Sequence, residues 1–250
     1  MADPSYYGKP VLLDRQKHRR LRLRAGTGFG FARPLHSLHV AAAEFNEACK
    51  EYAVVFTRDA AGEVTPVAML GLRAGQNLFV DDDERWDARY VPAFVRRHPF
   101  VLAQLPGQAL GVCIDESCAR LDEAEGEPLF DEEGAQTAFL RNAVEFLDRY
   151  QREHARTQAF CRRLDEAGLL QPMNARATLV DGRSFTLDGL LVVDEKKWLA
   201  LPDATALAMF RSGELALVAM HLVSLSNMQR LVDRMAQRAS PMPPAPLPVA

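Results

Sequence analysis

Apolar and polar positions change their rhythm midway along the chain. In the first half, short apolar runs alternate with turn-forming residues. Residues 52–57 and 67–72 are two such runs, with Asp59-Ala60-Ala61-Gly62 between them as a turn. Residues 77–80, 100–104 and 110–115 follow, each bounded by glycine, proline or acidic residues, and all five runs are expected to be strands. A short helix is expected over 41–50. In the second half the period becomes helical. Leu140, Ala143, Leu147, Tyr150, His154, Thr157, Cys161 and Leu164 are spaced alternately by three and four, so they form one seam on a helix over 136–164 that ends near Gly168.

Alternation returns over 175–193, around Asp181-Gly182, a pair suited to a two-residue hairpin turn. Pro202-Asp203 then opens a helix to Arg211. Gly213 interrupts it, and a long amphipathic helix is expected over 214–237. The sum is an α+β fold: a mainly antiparallel sheet in the first half and a C-terminal hairpin, packed against two long amphipathic helices. One domain over 1–239 and a disordered proline-rich tail over 240–250 are expected.

Composition narrows the classes. The chain has 250 residues, 48% hydrophobic and 25% charged, the mixture of an ordinary globular protein. A formal net charge of −3 offers no general attraction to nucleic acid or anionic lipid. The basic run 15–24 alternates Leu21 and Leu23 with arginines and reads as a strand with one solvated face. The N-terminus lacks the basic start and apolar core of a secretory signal, which favours the cytoplasm. The apolar stretch 215–225 is too short to span a bilayer, so no membrane-spanning segment is expected. Cys113 and Cys118 have no second pair to complete a zinc site, and Cys49 and Cys161 stand alone, so reduced thiols are expected.

The densest candidate chemistry is RWDARYVPAFVRRHPFVLA, residues 85–103, with four arginines, four aromatics and two prolines directly after Asp81-Asp82-Asp83-Glu84. Pro92 suits the first turn of a short helix, and Pro99 closes it near Arg97-His98. Arg96 and Arg97 then sit at its C-terminal end, paired with the acidic run, as a structural joint. The functional alternative is a carboxylate or phosphate pocket built from Arg96, Arg89 and Trp86, since a guanidinium binds such groups in a fork and stacks on aromatics. Trp86, Tyr90, Phe94, Arg96 and Arg97 are therefore candidate binding residues.

Other motifs carry less. Gly26-Thr27-Gly28-Phe29-Gly30 precedes Arg33-Pro34 rather than a helix, and so reads as a loop rather than a phosphate cradle. Asp81-Asp82-Asp83 lacks the glycine and distal glutamate of a calcium loop. His154 falls on the apolar seam of the long helix. On the terminal helix, His221, Ser224 and Asn227 put a polar stripe on a face that should be apolar, and they form a second candidate binding group. No metal-ligand pair and no nucleophile elbow accompanies them, so neither metal, cofactor nor catalytic residue is expected.

Several of these segments together resemble the SapC family of bacterial proteins. The carriers are Lys9-Pro10-Val11 with His18, Ala42-Ala43-Glu44-Phe45, Leu78-Phe79-Val80, and Tyr90-Val91-Pro92-Ala93-Phe94-Val95-Arg96-Arg97 with Pro99-Phe100. Glu127-Pro128-Leu129-Phe130, Asp181-Gly182-Arg183-Ser184-Phe185 and the segment His221-Leu222, Ser224-Leu225, Asn227 complete the likeness over residues 7–238. The resemblance implies a non-enzymatic accessory or interaction protein with a protein partner, linked to bacterial surface-layer or outer-membrane uptake systems. The alternative it implies is an enzyme, or enzyme partner, working with a flavin halogenase-like or iron-oxygenase-like system through a polar pocket around His221.

Overall fold

Strands pair only antiparallel among the residues described by this computed structural model, which are 6–26, 28–104, 110–178, 182 and 184–239. In chain order the strands are β1 (Pro10–Leu12), β2 (Arg22–Leu23), β3 (Ser37–His39), β4 (Val54–Arg58), β5 (Val64–Met69), β6 (Phe100–Gln104), β7 (Leu110–Asp115), β8 (Leu121–Asp122), β9 (Glu127–Pro128), β10 (Leu170–Thr178) and β11 (Ser184–Val193). The α-helices are α1 (Phe45–Ala48), α2 (Ala93–Arg96), α3 (Ala138–Glu166), α4 (Glu195–Leu199), α5 (Asp203–Ser212), α6 (Glu214–Ser224) and α7 (Asn227–Ala239). The fold is α+β, as expected.

Three sheets carry the layers. The largest has the order β10-β11-β4-β5-β3, a second runs β1-β7-β6, and a small third runs β8-β2-β9. The 29-residue helix α3 connects two cores. Its first half buries Leu140 and Leu147 among Phe100, Ile114 and Leu129. Its second half buries Phe160, Cys161 and Leu164 beside Phe45, Tyr52 and Phe56. Between these halves the seam presents Tyr150 and His154, which are only partly buried. The helix starts where the Thr137 side chain accepts the Leu140 N–H at 3.2 Å, and Gly168, at φ 62°, takes the left-handed turn that ends it.

Local side-chain bonds explain most departures from the expected elements. Residues 77–80 do not form a strand, because Asn77 Oδ1 accepts the Phe79 N–H at 2.8 Å and its amide donates to Ala32 O. Only a Val80–Trp86 bridge remains there. Residues 15–20 form turns instead of strand, where Asp14 Oδ1 accepts the N–H groups of Gln16 and Lys17. The expected helix 41–50 is a 3-10 turn over Ala42–Glu44 followed by α1, because the buried Glu44 carboxylate reaches back to the Ala41 N–H at 2.9 Å. Gly30 opens a 3-10 turn, and Thr27 of that glycine-rich loop lies outside the described residues.

β10 and β11 form the expected hairpin, paired as far as Thr178 and Ser184. Asp181 of the expected two-residue turn, with Arg183 and the tail 240–250, lies outside the described residues. The four cysteines are free thiols, and burial pushes the Cys161 thiol up to about 12.

The terminal helix comes as two segments rather than one. Ser224 Oγ donates to His221 O at 2.6 Å and Ser226 Oγ to Val223 O at 2.9 Å, so both hydroxyls compete with the helical ladder at the join. Taken together, Glu214–Arg238 is long and apolar enough, by length and composition, to cross a membrane. In this fold the segment lies on protein: Asn227 donates to Cys49 O and Tyr52 O, and Arg238 donates to Asn77 O and Val80 O.

Candidate functional site

The arginine pair of residues 85–103 divides its roles by geometry. Pro92 caps α2 from just outside, with ψ 146°, and Arg97 is the C-cap. Neighbouring residues on so short a helix point about 100° apart, so one arginine faces solvent and the other the interior. Arg96 faces out, donating from Nε to Val91 O at 2.9 Å and lying over the Tyr90 and Phe146 rings at 5.7 and 5.2 Å. Replacing Arg96 with Gln is expected to change stability by no more than about 0.5 kcal/mol, read by chemical denaturation, because its charge is solvated.

Arg97 faces in and is 6% exposed. Its guanidinium lies over Phe94 at 4.2 Å, Tyr150 at 4.8 Å and Tyr7 at 5.8 Å. Among the described residues its Nε and Nη2 have no hydrogen-bond partner, and no carboxylate lies within ion-pair distance of it. The expected pairing with the acidic run is therefore overturned. That run closes on itself instead: Asp81 Oδ1 accepts the Arg85 N–H at 2.7 Å, Asp83 pairs with Arg85 at 3.2 Å, and Arg33 donates to the carbonyls of Asp81 and Asp82.

Arg97 lines a cavity of about 580 Å³ beneath the middle of α3, where that helix passes from β6 to β3 and β5. Phe94, Leu102, Leu147 and Val67 supply apolar wall. A chain of polar rings runs along one side: His39 Nδ1 lies 3.0 Å from the Tyr150 hydroxyl, and His39 Nε2 lies 3.1 Å from His154 Nδ1. Burial lowers the His39 pKa to about 3, with His154 and Arg97 adding to the effect. Burial also lowers that of His154 and raises those of Tyr150 and Tyr7. At neutral pH this chain is uncharged. Asp59 and Glu63 also line the cavity but are exposed, which leaves Arg97 as the buried charge facing it.

The other candidates of this segment support the site from behind. Tyr90 donates its hydroxyl to Glu44 at 2.6 Å, and the same carboxylate accepts the Ala93 N–H at 2.7 Å, which fixes the start of α2. Trp86 is core: its Nε1 donates to the Tyr52 hydroxyl at 2.8 Å, and the Tyr52 hydroxyl donates to Tyr90 O. Arg89 contributes only its backbone N–H, to Glu51. The structure thus brings Phe94 and Arg97 to the cavity, places Tyr90 and Trp86 behind it, and leaves Arg96 outside. Tyr7 and His39 were not read from the sequence; the one visible signal was Tyr150 and His154 breaking an apolar seam.

His221, Ser224 and Asn227 form a separate, closed cluster. β11 and β4 pair at Leu190–Thr57 and Leu191–Phe56, a register that two residues further on would set Val193 opposite Val54. There the imidazole enters the gap. His221 Nε2 accepts the Val193 N–H at 3.1 Å, so its Nδ1 carries the proton and donates to Val54 O at 2.8 Å. Ser224 Oγ accepts the Val54 N–H at 3.0 Å. Both ring nitrogens are used, the residue is fully buried, and burial holds its pKa down to about 4. This arrangement replaces a missing rung of the sheet; it presents no free group for chemistry and does not line the cavity beneath α3.

Among the described residues, no three His, Cys, Asp or Glu side chains converge to hold a metal ion. The SapC family model matches residues 13–231. No curated protein matches the chain, and no solved structure does.

Proposed function

The chain belongs to the SapC family, and on that footing we propose that it is a non-enzymatic accessory protein that works by holding a small molecule beneath α3. The observation that carries this reading is the cavity of about 580 Å³, within the range of small-molecule sites. Beside the Arg97 guanidinium, its polar wall includes neutral imidazoles and a phenol held far from ionisation, groups that fix a ligand's orientation better than they attack one. The alternative enzyme reading used His221, and the closed geometry there speaks against it. A protein partner, and service to a surface-layer or outer-membrane uptake system, belong to this proposal through the family resemblance alone.

Native mass spectrometry on the full chain purified gently from its own host tests it. The expected spectrum carries a small organic adduct that acid releases and that stays chemically unchanged on prolonged incubation with the protein. An adduct steadily converted to a product would overturn the non-enzymatic reading.

A further inference from the structure

Resting on that reading of the cavity, we infer that its ligand is a small organic monocarboxylate with an apolar body, and that the carboxylate neutralises Arg97. A guanidinium 94% buried without a counter-ion is a costly state unless something completes it. The rings of Phe94, Tyr150 and Tyr7 stabilise the cation through their faces and the Tyr7 hydroxyl bonds to it, but its Nε and Nη2 find no acceptor among the described residues. An acceptor with the planar shape of a carboxylate fits a guanidinium best.

Charge decides between anions. A phosphate monoester brings close to two negative charges at neutral pH. Arg97 supplies one positive charge, and the imidazoles of His39 and His154 are held neutral by burial and by Arg97 itself. A single carboxylate balances the site, whereas a dianion leaves one charge buried. Phe94, Leu102, Leu147 and Val67 give the rest of the ligand an apolar surface. Gln151 and Gln158, farther along the α3 face, can accept or donate to a neutral substituent.

The test compares acids with their own amides on the wild-type full chain. Phenylacetate and octanoate, phenylacetamide and octanamide, and inorganic phosphate are titrated by saturation-transfer NMR and calorimetry at pH 7.5. At least one acid is expected to bind roughly tenfold or more tightly than its amide, the scale of a charge-assisted contact. Phosphate is expected not to compete. In Arg97→Gln, with folding checked by circular dichroism, the acid should fall to the level of its amide. Equal binding of acid and amide to the wild type would overturn the carboxylate assignment and leave the cavity reading standing. Binding of phosphate in preference to the acids would replace the ligand class. No binding of any probe at millimolar concentration would overturn both.

Discussion

Replacing His221 with Leu is expected to destabilise the protein by about 4 kcal/mol, a larger loss than any substitution at the cavity rim. Leucine nearly matches the volume, so the effect isolates the two hydrogen bonds. It leaves the Val193 N–H buried without a partner and takes from the Val54 carbonyl its 2.8 Å donor, leaving it only the Ser224 hydroxyl at 3.3 Å, and each loss costs about 1–3 kcal/mol. For a chain of this length that corresponds to a fall in melting temperature of roughly 8–16 °C. His221→Gln should recover part of the loss, because a carboxamide can accept at one end and donate at the other. Ser224→Ala, which removes the acceptor for the Val54 N–H, should cost about 1–2 kcal/mol. The two losses should not add, since both act on Val54. A His221→Leu protein as stable as wild type would show that solvent enters the gap between β4 and β11.

The periodicities found the large elements because they record which face is buried. β6 and β7 occupy the expected residues, and α3 differs from its expected span by two residues at each end. Where the reading failed, a polar side chain had taken over a backbone group. Asn77, Asp14 and Glu44 each bond locally and replace a strand or helix by a turn. Hydropathy cannot report such bonds, because it assigns each residue a value without its neighbours.

The sites show the same division. The polar stripe His221, Ser224 and Asn227 was visible as a conflict on an apolar face, but its purpose was not, since the groups it satisfies belong to strands far away in sequence. Val54 lies 167 residues from His221. At 85–103 the sequence showed two arginines and a nearby acidic run, and proximity favoured pairing. It could not show that Asp81 closes its own turn, nor that Arg97 lies under a helix some fifty residues further on, where Tyr150 covers it. Sequence distance is a poor guide to ion pairs when backbone N–H groups compete for the carboxylates.

Buried neutral histidines should also make the fold sensitive to mild acid. Burial lowers His221 and His98 to about 4 and His39 to about 3, from an ordinary value of 6.5. For His98 the Asp115 carboxylate, 3.6 Å from Nε2, offsets part of that effect. A folded pKa below the unfolded one means that the unfolded chain binds more protons between the two values. The stability these groups contribute is therefore complete above about pH 6.5 and is lost as the pH falls toward 4. Each imidazole contributes a slope approaching about 1.4 kcal/mol per pH unit, so three together approach roughly 4 kcal/mol per unit. Against a typical total of about 5–15 kcal/mol, unfolding is expected near pH 5. The depressed carboxylates act in a lower window: Glu116, which Lys17, Lys9 and His18 hold down to about 2, titrates only after the histidines have done so. Melting temperatures measured from pH 8 to 4.5 should be level above about 7 and then fall steeply. Potentiometric titration at pH 5.5 should find close to three protons taken up on unfolding. His221→Gln should remove one of these protons and flatten the slope, even though its stability at pH 8 is lower. A melting temperature unchanged between pH 7.5 and 5 would mean that these imidazoles reach water, and the closed cluster at Val54 would then be wrong.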